Sequence, residues 1–320
     1  MHMRDGSAAV DDRPAVDTAP RAERTTRRGL WPDGYRVNYR SSAGFLLVHI
    51  LPLLAVFTGV SWRDVQLLVV LYFTRAFAIT AGFHRYFSHR SYTLGRPAQF
   101  LLAFLGSTAG QRGPLWWAAH HRVHHRFADR DGDLHSPREG FWWSHVGWLL
   151  CDRFDIDAQP RVRDFDRYPE IVWLDRHEWV APWVLGTACL VFAGPSGLLI
   201  GFFGSTALLW HTTFSVNSVA HVFGRRRFVT PDTSRNSLVV TLLTLGEGWH
   251  NNHHRYPTAA RQGFYWWQFD PTYLVLRALA AVGVVSGLRH VPPHVLAEGR
   301  RPVTTLDDVP NPSTTATSRR

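Results

Sequence analysis

Half of the 18 histidines in this 320-residue chain fall into four spaced clusters. The first is His84 and His89, in HRYFSH. The second is His121, His124 and His125, in HRVHH. The third pairs Asn217 with His221, and the fourth is His250, His253 and His254, in HNNHH. Neutral imidazole suits Fe, Zn, Cu and Ni. Helix residues at i, i+3 and i+4 share a face. His121, His124 and His125 can therefore converge on one point or on two adjacent points, and so can His250, His253 and His254. Asn217 and His221 lie one turn apart. His84 and His89, five apart, subtend too wide an angle for one face of a long α-helix, and are expected to flank a metal near a helix end. Nine histidines exceed the needs of one metal, so two metals are the natural count. His2, His290 and His294 read as surface residues, and His49 and His211 as packed polar residues.

The elements that must carry these clusters are apolar. Gly44 to Val60 and Val65 to Gly82 are separated only by Ser61–Asp64, which predicts a helical hairpin. A second hairpin is expected over 179–214, with Gly194–Gly197 as its turn. The expected spans are 44–60, 65–82, 179–194 and 197–214, each slightly short of the ~20 residues of a typical crossing. Trp62, Trp179, Trp183 and Trp210 sit near span ends, as interfacial aromatics do. The expected fold is an all-α integral membrane protein, with four transmembrane helices in two hairpins capped by a cytosolic helical domain. Segments 98–110, 141–151 and 272–288 are expected to lie on the membrane or pack on that cap. The domain is expected to cover 41–290, flanked by a disordered Arg-rich tail at 1–40 and a disordered tail at 291–320. Short outer turns and Arg-rich inner connections predict a multi-pass protein of the cell membrane, with both termini and the metal site cytoplasmic.

Composition narrows the function classes. The net charge is +10 and every one of the 35 basic residues is Arg. These arginines are scattered over loops without a nucleic-acid motif, so no nucleic acid is expected as a partner. Cys151 and Cys189 are the whole cysteine complement, which excludes a disulfide scaffold and a Cys-rich zinc module. A metal transporter or metal-storage membrane protein is the alternative from a different class. Transport ligands belong within spans, whereas these clusters sit at span ends or between spans.

Five stretches carry a family resemblance: TAGFHRYFSHRSY at 80–92, WWAAHHRVHHRFADRDGDLHSP at 116–137, GFWWSHVGWLL at 140–150, NSVAH at 217–221 and GEGWHNNHHRYP at 246–257. From about Trp31 to Leu288 the chain resembles the membrane fatty acid desaturases, specifically the acyl-CoA (stearoyl-CoA-like) Δ9 branch. The resemblance implies four spans and a non-haem di-iron centre in the cytosolic cap. Its ligands would be the nine clustered histidines, with Asn217 acting through water. It implies two Fe ions cycling between Fe2+ and Fe3+, O2 as co-substrate, and insertion of a cis double bond into a long-chain acyl thioester such as acyl-CoA. Asp133 and His135 would orient ligating imidazoles. Tyr72, Ala76, Gln111, Trp117, Thr213 and Phe214 would line the substrate tunnel.

Two departures bear on the acyl carrier. Ala119 and His120 stand where the family commonly has Arg-Asp, and Arg112 replaces a common Asn. Arg112 can still grip phosphate, but an acyl-carrier protein or a glycerolipid could take the place of CoA. The electron donor is expected to be a separate acidic protein, a ferredoxin or a cytochrome b5-like carrier with its reductase. On the same metal scaffold the alternatives are a hydroxylase, an acetylenase or an alkane monooxygenase; HxxxxH combined with NxxxH argues for a desaturase. Arg75 inside the second span calls for a polar partner, and Arg225–Arg227 for a headgroup contact or a solvated loop.

Overall fold

The computed structural model describes residues 36–152 and 162–300. Most of the two expected tails lies outside those residues, and both are shortened by what is described. Helix α1 (Tyr39–Ile50) already starts at residue 39, where the Asn38 side chain accepts from the Ser41 amide at 3.1 Å. At the other end the domain does not stop at 290. Helix α14 (Pro293–Glu298) buries Val295 against Phe228, Phe264 and Tyr265, and the Tyr265 hydroxyl donates to the Leu296 carbonyl. Six residues are too few to show helical periodicity, so the sequence alone does not mark this helix.

Among the described residues three helices are long and apolar enough to cross a membrane: Tyr39–Thr58, Trp62–Ser88 and Val180–Val222. The first contains Pro52, which removes a backbone donor. It passes through a 3-10 turn (Leu51–Leu54) into the short α2 (Ala55–Thr58). The second is opened by a capping box between Ser61 and Asp64. It runs as α3 (Trp62–Phe77) and then as a π-helix (Ala78–Ser88). At 27 residues it would be about 40 Å long as a regular α-helix, more than the ~30 Å hydrocarbon core, and His84 stands near its C-terminal end.

The third run has 43 residues, roughly 65 Å if straight, about twice a bilayer core. It is not straight. Helix α8 (Val180–Ser196) breaks at Gly194, whose φ of 75° only glycine adopts freely, with Pro195 behind it. A π-helical segment (Gly197–Gly204) and α9 (Ser205–Asn217) follow, then α10 (Val219–Val222). The π-helical segment packs back on α8 and also on α3. Gly201 permits that approach, since a Cβ there would fall 2.5 Å from Leu67 Cδ2. Leu47, Leu53, Phe57, Val70, Val191 and Phe192 are exposed along these helices, as residues facing lipid are.

Arg75 is buried within the second span. Its guanidinium donates to the Thr206 hydroxyl at 2.7 Å, to Ser205 and to the Leu71 and Thr108 carbonyls. Its partners are thus neutral oxygens: Ser205 and Thr206 from the neighbouring span, Leu71 from its own helix and Thr108 from the end of the helix Arg96–Ser107.

The remaining helices form the cap. Helix α4 (Arg96–Ser107), expected on or near the membrane surface, packs on the π-helix with Gly106 against Phe83. Helix α5 (Pro114–Phe127) packs on the same π-helix and on α7 (Pro169–Arg176). Between them lies α6 (Phe141–His145), which keeps Trp142 exposed and buries Trp143. Helices α11 (Leu238–Leu243), α12 (His250–Arg255) and α13 (Pro271–Ala281) complete it. The architecture is mostly helical rather than strictly all-α. A two-residue antiparallel pair joins Thr93–Leu94 to Val285–Ser286 and ties the segment after His89 to the end of α13.

Candidate metal centre

The nine clustered histidines come together as two adjacent groups. His84, His89, His121, His125 and His253 form one, and His124, His221, His250 and His254 the other; within each, the ligand atoms lie within 4.8 Å of one another. The two HxxHH motifs divide in the same way. On a helix, i and i+4 differ by about 40° and i and i+3 by about 60° in the opposite sense. His121 and His125 therefore enter the first group while His124 enters the second. His250 and His254 enter the second while His253 enters the first. The rings of His125 and His254 stand 4.6 Å apart where the groups meet.

The π-helix explains the five-residue spacing of the first motif. Its wider turn is closed by hydrogen bonds five residues apart, and the His89 amide donates to the His84 carbonyl at 3.2 Å. Their rings end 4.9 Å apart. The expected helix-end geometry is present, since His89 is the C-terminal cap.

The imidazoles are oriented from behind. Nδ1 of His124 donates to Asp133 at 2.9 Å, Nδ1 of His254 to Asp232 at 3.0 Å and Nδ1 of His221 to Asp129 at 3.3 Å. Nδ1 of His84 faces the Glu247 carboxylate, which is also paired with Arg85 and Thr80. Arg85 is shared with Asp270 at 3.0 Å. Gln262 sits between His84, His253 and Glu247. A carboxylate on Nδ1 fixes the tautomer and leaves Nε2 as a bare lone pair.

Across the clustered rings, Nε2 atoms face each other closely. The separations are 3.0 Å for His84–His253, 2.8 Å for His89–His121, 2.8 Å for His125–His253 and 2.9 Å for His221–His250. Two imidazole nitrogens bound at right angles, each 2.0–2.1 Å from one metal, stand about 3 Å apart. Nε2 of His254 is buried without a hydrogen-bond partner. Converging lone pairs and an orphaned buried nitrogen fit a cation in each group.

Burial holds His89, His121, His125, His250 and His253 well below the usual 6.5. They are therefore neutral and able to ligate at physiological pH. Burial alone would raise the carboxyls, but the paired groups override it. His124 keeps Asp133 well below the carboxylate range, and His84 with Arg85 draws Glu247 down to about 2.

Of the two residues expected to orient ligating rings, Asp133 accepts from His124 Nδ1. His135 stacks on His124, with ring centroids 4.4 Å apart, and makes no bond to a ligating ring. Burial beside His124 drives it to about 3. Asp129, Asp232, Glu247 and Gln262 were not singled out from the sequence. Asp129 and Glu247 lie inside the quoted motifs, five residues after His124 and three before His250. Asp232 and Gln262 reach the site only through loop folding and had no local signal.

Two cavities meet the centre. The larger, about 760 Å³, is lined by Gln111, Arg112, Trp117, Thr213, Phe214, His121 and Asn217 among others. The smaller, about 50 Å³, runs past His84, His121 and His250 and is lined by Ala76, Ile79, Leu209 and Thr244. Trp117, His121, Thr213 and Asn217 border both. The Gln111 amide donates to the Thr213 hydroxyl at 3.0 Å. Tyr72 lines neither cavity. It stands behind the wall, its hydroxyl on Thr212 and on the Leu243 carbonyl.

Several other residues resolve plainly. Ala119 is buried, and His120 stacks on Trp116 at 3.6 Å and bonds the Trp116 carbonyl. Arg225 is exposed; Arg226 bonds Thr230, and Arg227 bonds the Gly299 carbonyl. His49 and His211 are more than packed polar residues. They form a chain from His49 through His211 (2.8 Å) and His145 (3.0 Å) to the Ser218 hydroxyl (2.9 Å), next to Asn217.

Residues 61–287 match the model of the fatty acid desaturase family. The chain is 36% identical over 245 residues to the sn-2 palmitoyl-lipid 9-desaturase of Nostoc sp., covering 75% of this chain and 86% of that protein. It is 35% identical over 257 residues to the sn-1 stearoyl-lipid 9-desaturase of Anabaena variabilis, covering 79% and 94%. It is 34% identical over 267 residues to the Delta-9 acyl-lipid desaturase 1 of Arabidopsis thaliana, covering 82% and 87%.

Proposed function

The chain belongs to the fatty acid desaturase family, and on that premise we propose that it inserts a cis double bond at the ninth carbon of a long-chain acyl group. It is a membrane oxidoreductase of lipid metabolism; the position of the bond, the carrier and the metal identity are the proposal. The carrying observation is the convergence of nine buried or half-buried imidazoles into two groups, four of the rings backed by carboxylates.

The proposed carrier is a glycerolipid. The motif resemblance pointed to acyl-CoA, but the relatives described above are named as acyl-lipid desaturases. Ala119 and His120, where the CoA-binding Arg-Asp would stand, agree with that shift.

Two iron ions, one in each histidine group, would supply O2 activation. The balance is one O2, two electrons from a separate carrier, two protons and two substrate hydrogens, giving two waters and the alkene. Asp133, Asp129, Asp232 and Glu247 hold the ligating rings in one tautomer. Asn217, which borders both cavities, is proposed to hold a water. Trp117, and Thr213 held by Gln111, border the passage beside His121, so the acyl chain would bend there. Phe214 lines the near side, Ala76 the far end, and Tyr72 supports the wall through Thr212. Arg112 at the outer end is proposed as an acyl-carrier contact. Burial keeps water from the reacting carbons. Four crossings, with the termini and the centre cytoplasmic, are part of the same proposal; the break at Gly194 supports the fourth crossing.

The test is expression in a host lacking its own desaturase, with an electron-donor system. Gas chromatography–mass spectrometry of separated glycerolipid and acyl-CoA pools is expected to find a Δ9 monoene first in the glycerolipids. A hydroxy acid, or no product with any carrier, overturns the reading.

A further inference from the structure

The larger cavity has an outer end as well as an end at the metal groups. Its outer lining includes Arg40 and Gly44 from α1 and Trp179 and Trp183 from the start of α8, all four exposed. Gly44 and Trp183 both belong to candidate spans. The mouth therefore lies between two membrane helices and faces sideways, toward the bilayer. The wall on the α1 side is open. Helix α1 buries none of its residues, and a Cβ at Gly44 would meet nothing within 4 Å.

The mouth has a polar upper rim and an apolar throat. Arg112 spans the rim, donating to Glu178 at 2.9 Å and to the Ser41 hydroxyl of α1 at 3.3 Å. Its backbone sits at φ 68°, a left-handed conformation that costs a non-glycine residue energy and is retained at functional sites. Phe45, Trp210 and Phe214 line the same cavity, their ring centroids following one another at 6.0 and 6.5 Å, and so do His121 and Asn217. Trp179 and Trp183, one turn apart, mark the headgroup level. A glycerolipid in the bilayer has the same order, with polar oxygens above and acyl chains below. The rim suits it better than a free CoA thioester. Of the rim arginines Arg40 and Arg112, Arg112 is already paired with Glu178, which leaves little positive charge for the several phosphates of CoA.

We propose that this mouth is a lateral portal through which a membrane glycerolipid inserts one acyl chain, its ester and headgroup oxygens staying at Arg40 and Arg112. This rests on the reading that the chain acts on an acyl substrate. It adds the route, the side of entry and the residues that hold the polar end.

The test uses the full chain, reconstituted in dioleoylphosphatidylcholine vesicles. The probe is a distearoyl phosphatidylglycerol with a diazirine midway along one chain. Peptide mapping is expected to find saturable labelling of the cavity segment containing Trp210 and Thr213, beside ordinary labelling of lipid-facing Phe57 and Leu190. Gly44→Trp, which has room for its side chain, should lower cavity labelling at least about tenfold by steric exclusion and leave Phe57 labelling unchanged. Trp183→Ala, which widens the mouth, should raise it. Cavity labelling unaffected by both variants overturns the portal. So does cavity labelling by a soluble diazirine acyl-CoA alone. The labelling needs neither metal nor electron donor. If it behaves as expected while the wild type makes no monoene from any carrier, the desaturase reading fails and the portal stands.

Discussion

His124 donates its Nδ1 hydrogen to Asp133 at 2.9 Å, across nine residues of chain that leave α5 and fold back on it. This bond fixes one ligating ring of the second group. Asp133→Asn keeps the shape but loses the charge that favours the correct tautomer. Iron affinity and turnover are expected to fall about 10–100-fold, as for other supports of metal-bound histidine. Metal analysis of the purified protein, alongside turnover, checks it; unchanged iron content would remove Asp133 from this role.

His253 belongs to the first group and His124 to the second. His253→Ala and His124→Ala should each lower bound iron from about two per chain toward one, and activity by more than the ~100-fold of a supporting residue. Membrane extraction should recover both variants in amounts near wild type. Full iron in either variant would contradict the assignment of ligands to groups.

Ala76 lines the far end of the small cavity, in a close-packed wall. Ala76→Leu adds three carbons where interiors tolerate little extra volume. Preference is expected to shift toward acyl chains about two to three carbons shorter. Competition between chain lengths, read by product analysis, measures it. An unchanged preference would mean that chain ends do not reach Ala76.

His145 lies outside the ligand groups. Burial, with His211 beside it, lowers it from 6.5 to about 4. Between those values the unfolded chain binds more protons than the folded one, so stability rises with pH. This contribution is full above pH 6.5 and is lost as pH falls toward 4. The melting temperature of metal-free protein should drop over that window, and His145→Gln should flatten part of the drop. Identical pH profiles for the two proteins would show that His145 is not the titrating group.

Much of the centre was legible in the sequence because it depends on local periodicity. The i, i+3, i+4 pattern marked the two HxxHH clusters, the family resemblance added His84, His89 and His221, and apolar length marked the helices that carry them. Asp133 was legible from its motif. The carboxylates Asp232 and Asp270 were not, because loop folding brings them to the site from unrelated stretches. Nor was α14, whose single turn and a half is stabilised by burying Val295 rather than by any pattern of its own.

By itself, then, the sequence determined which histidines recur in clusters that could ligate and which apolar helices carry them, since both follow from spacing along one chain. Only the tertiary structure decided how the ligands divide. The π-helix brings His84 and His89 to one side, and the facing of α5 and α12 sends the i+3 histidine of each motif to the opposite group. That division depends on how helices are rotated against each other, and rotation is set by packing between distant segments, which no local spacing encodes.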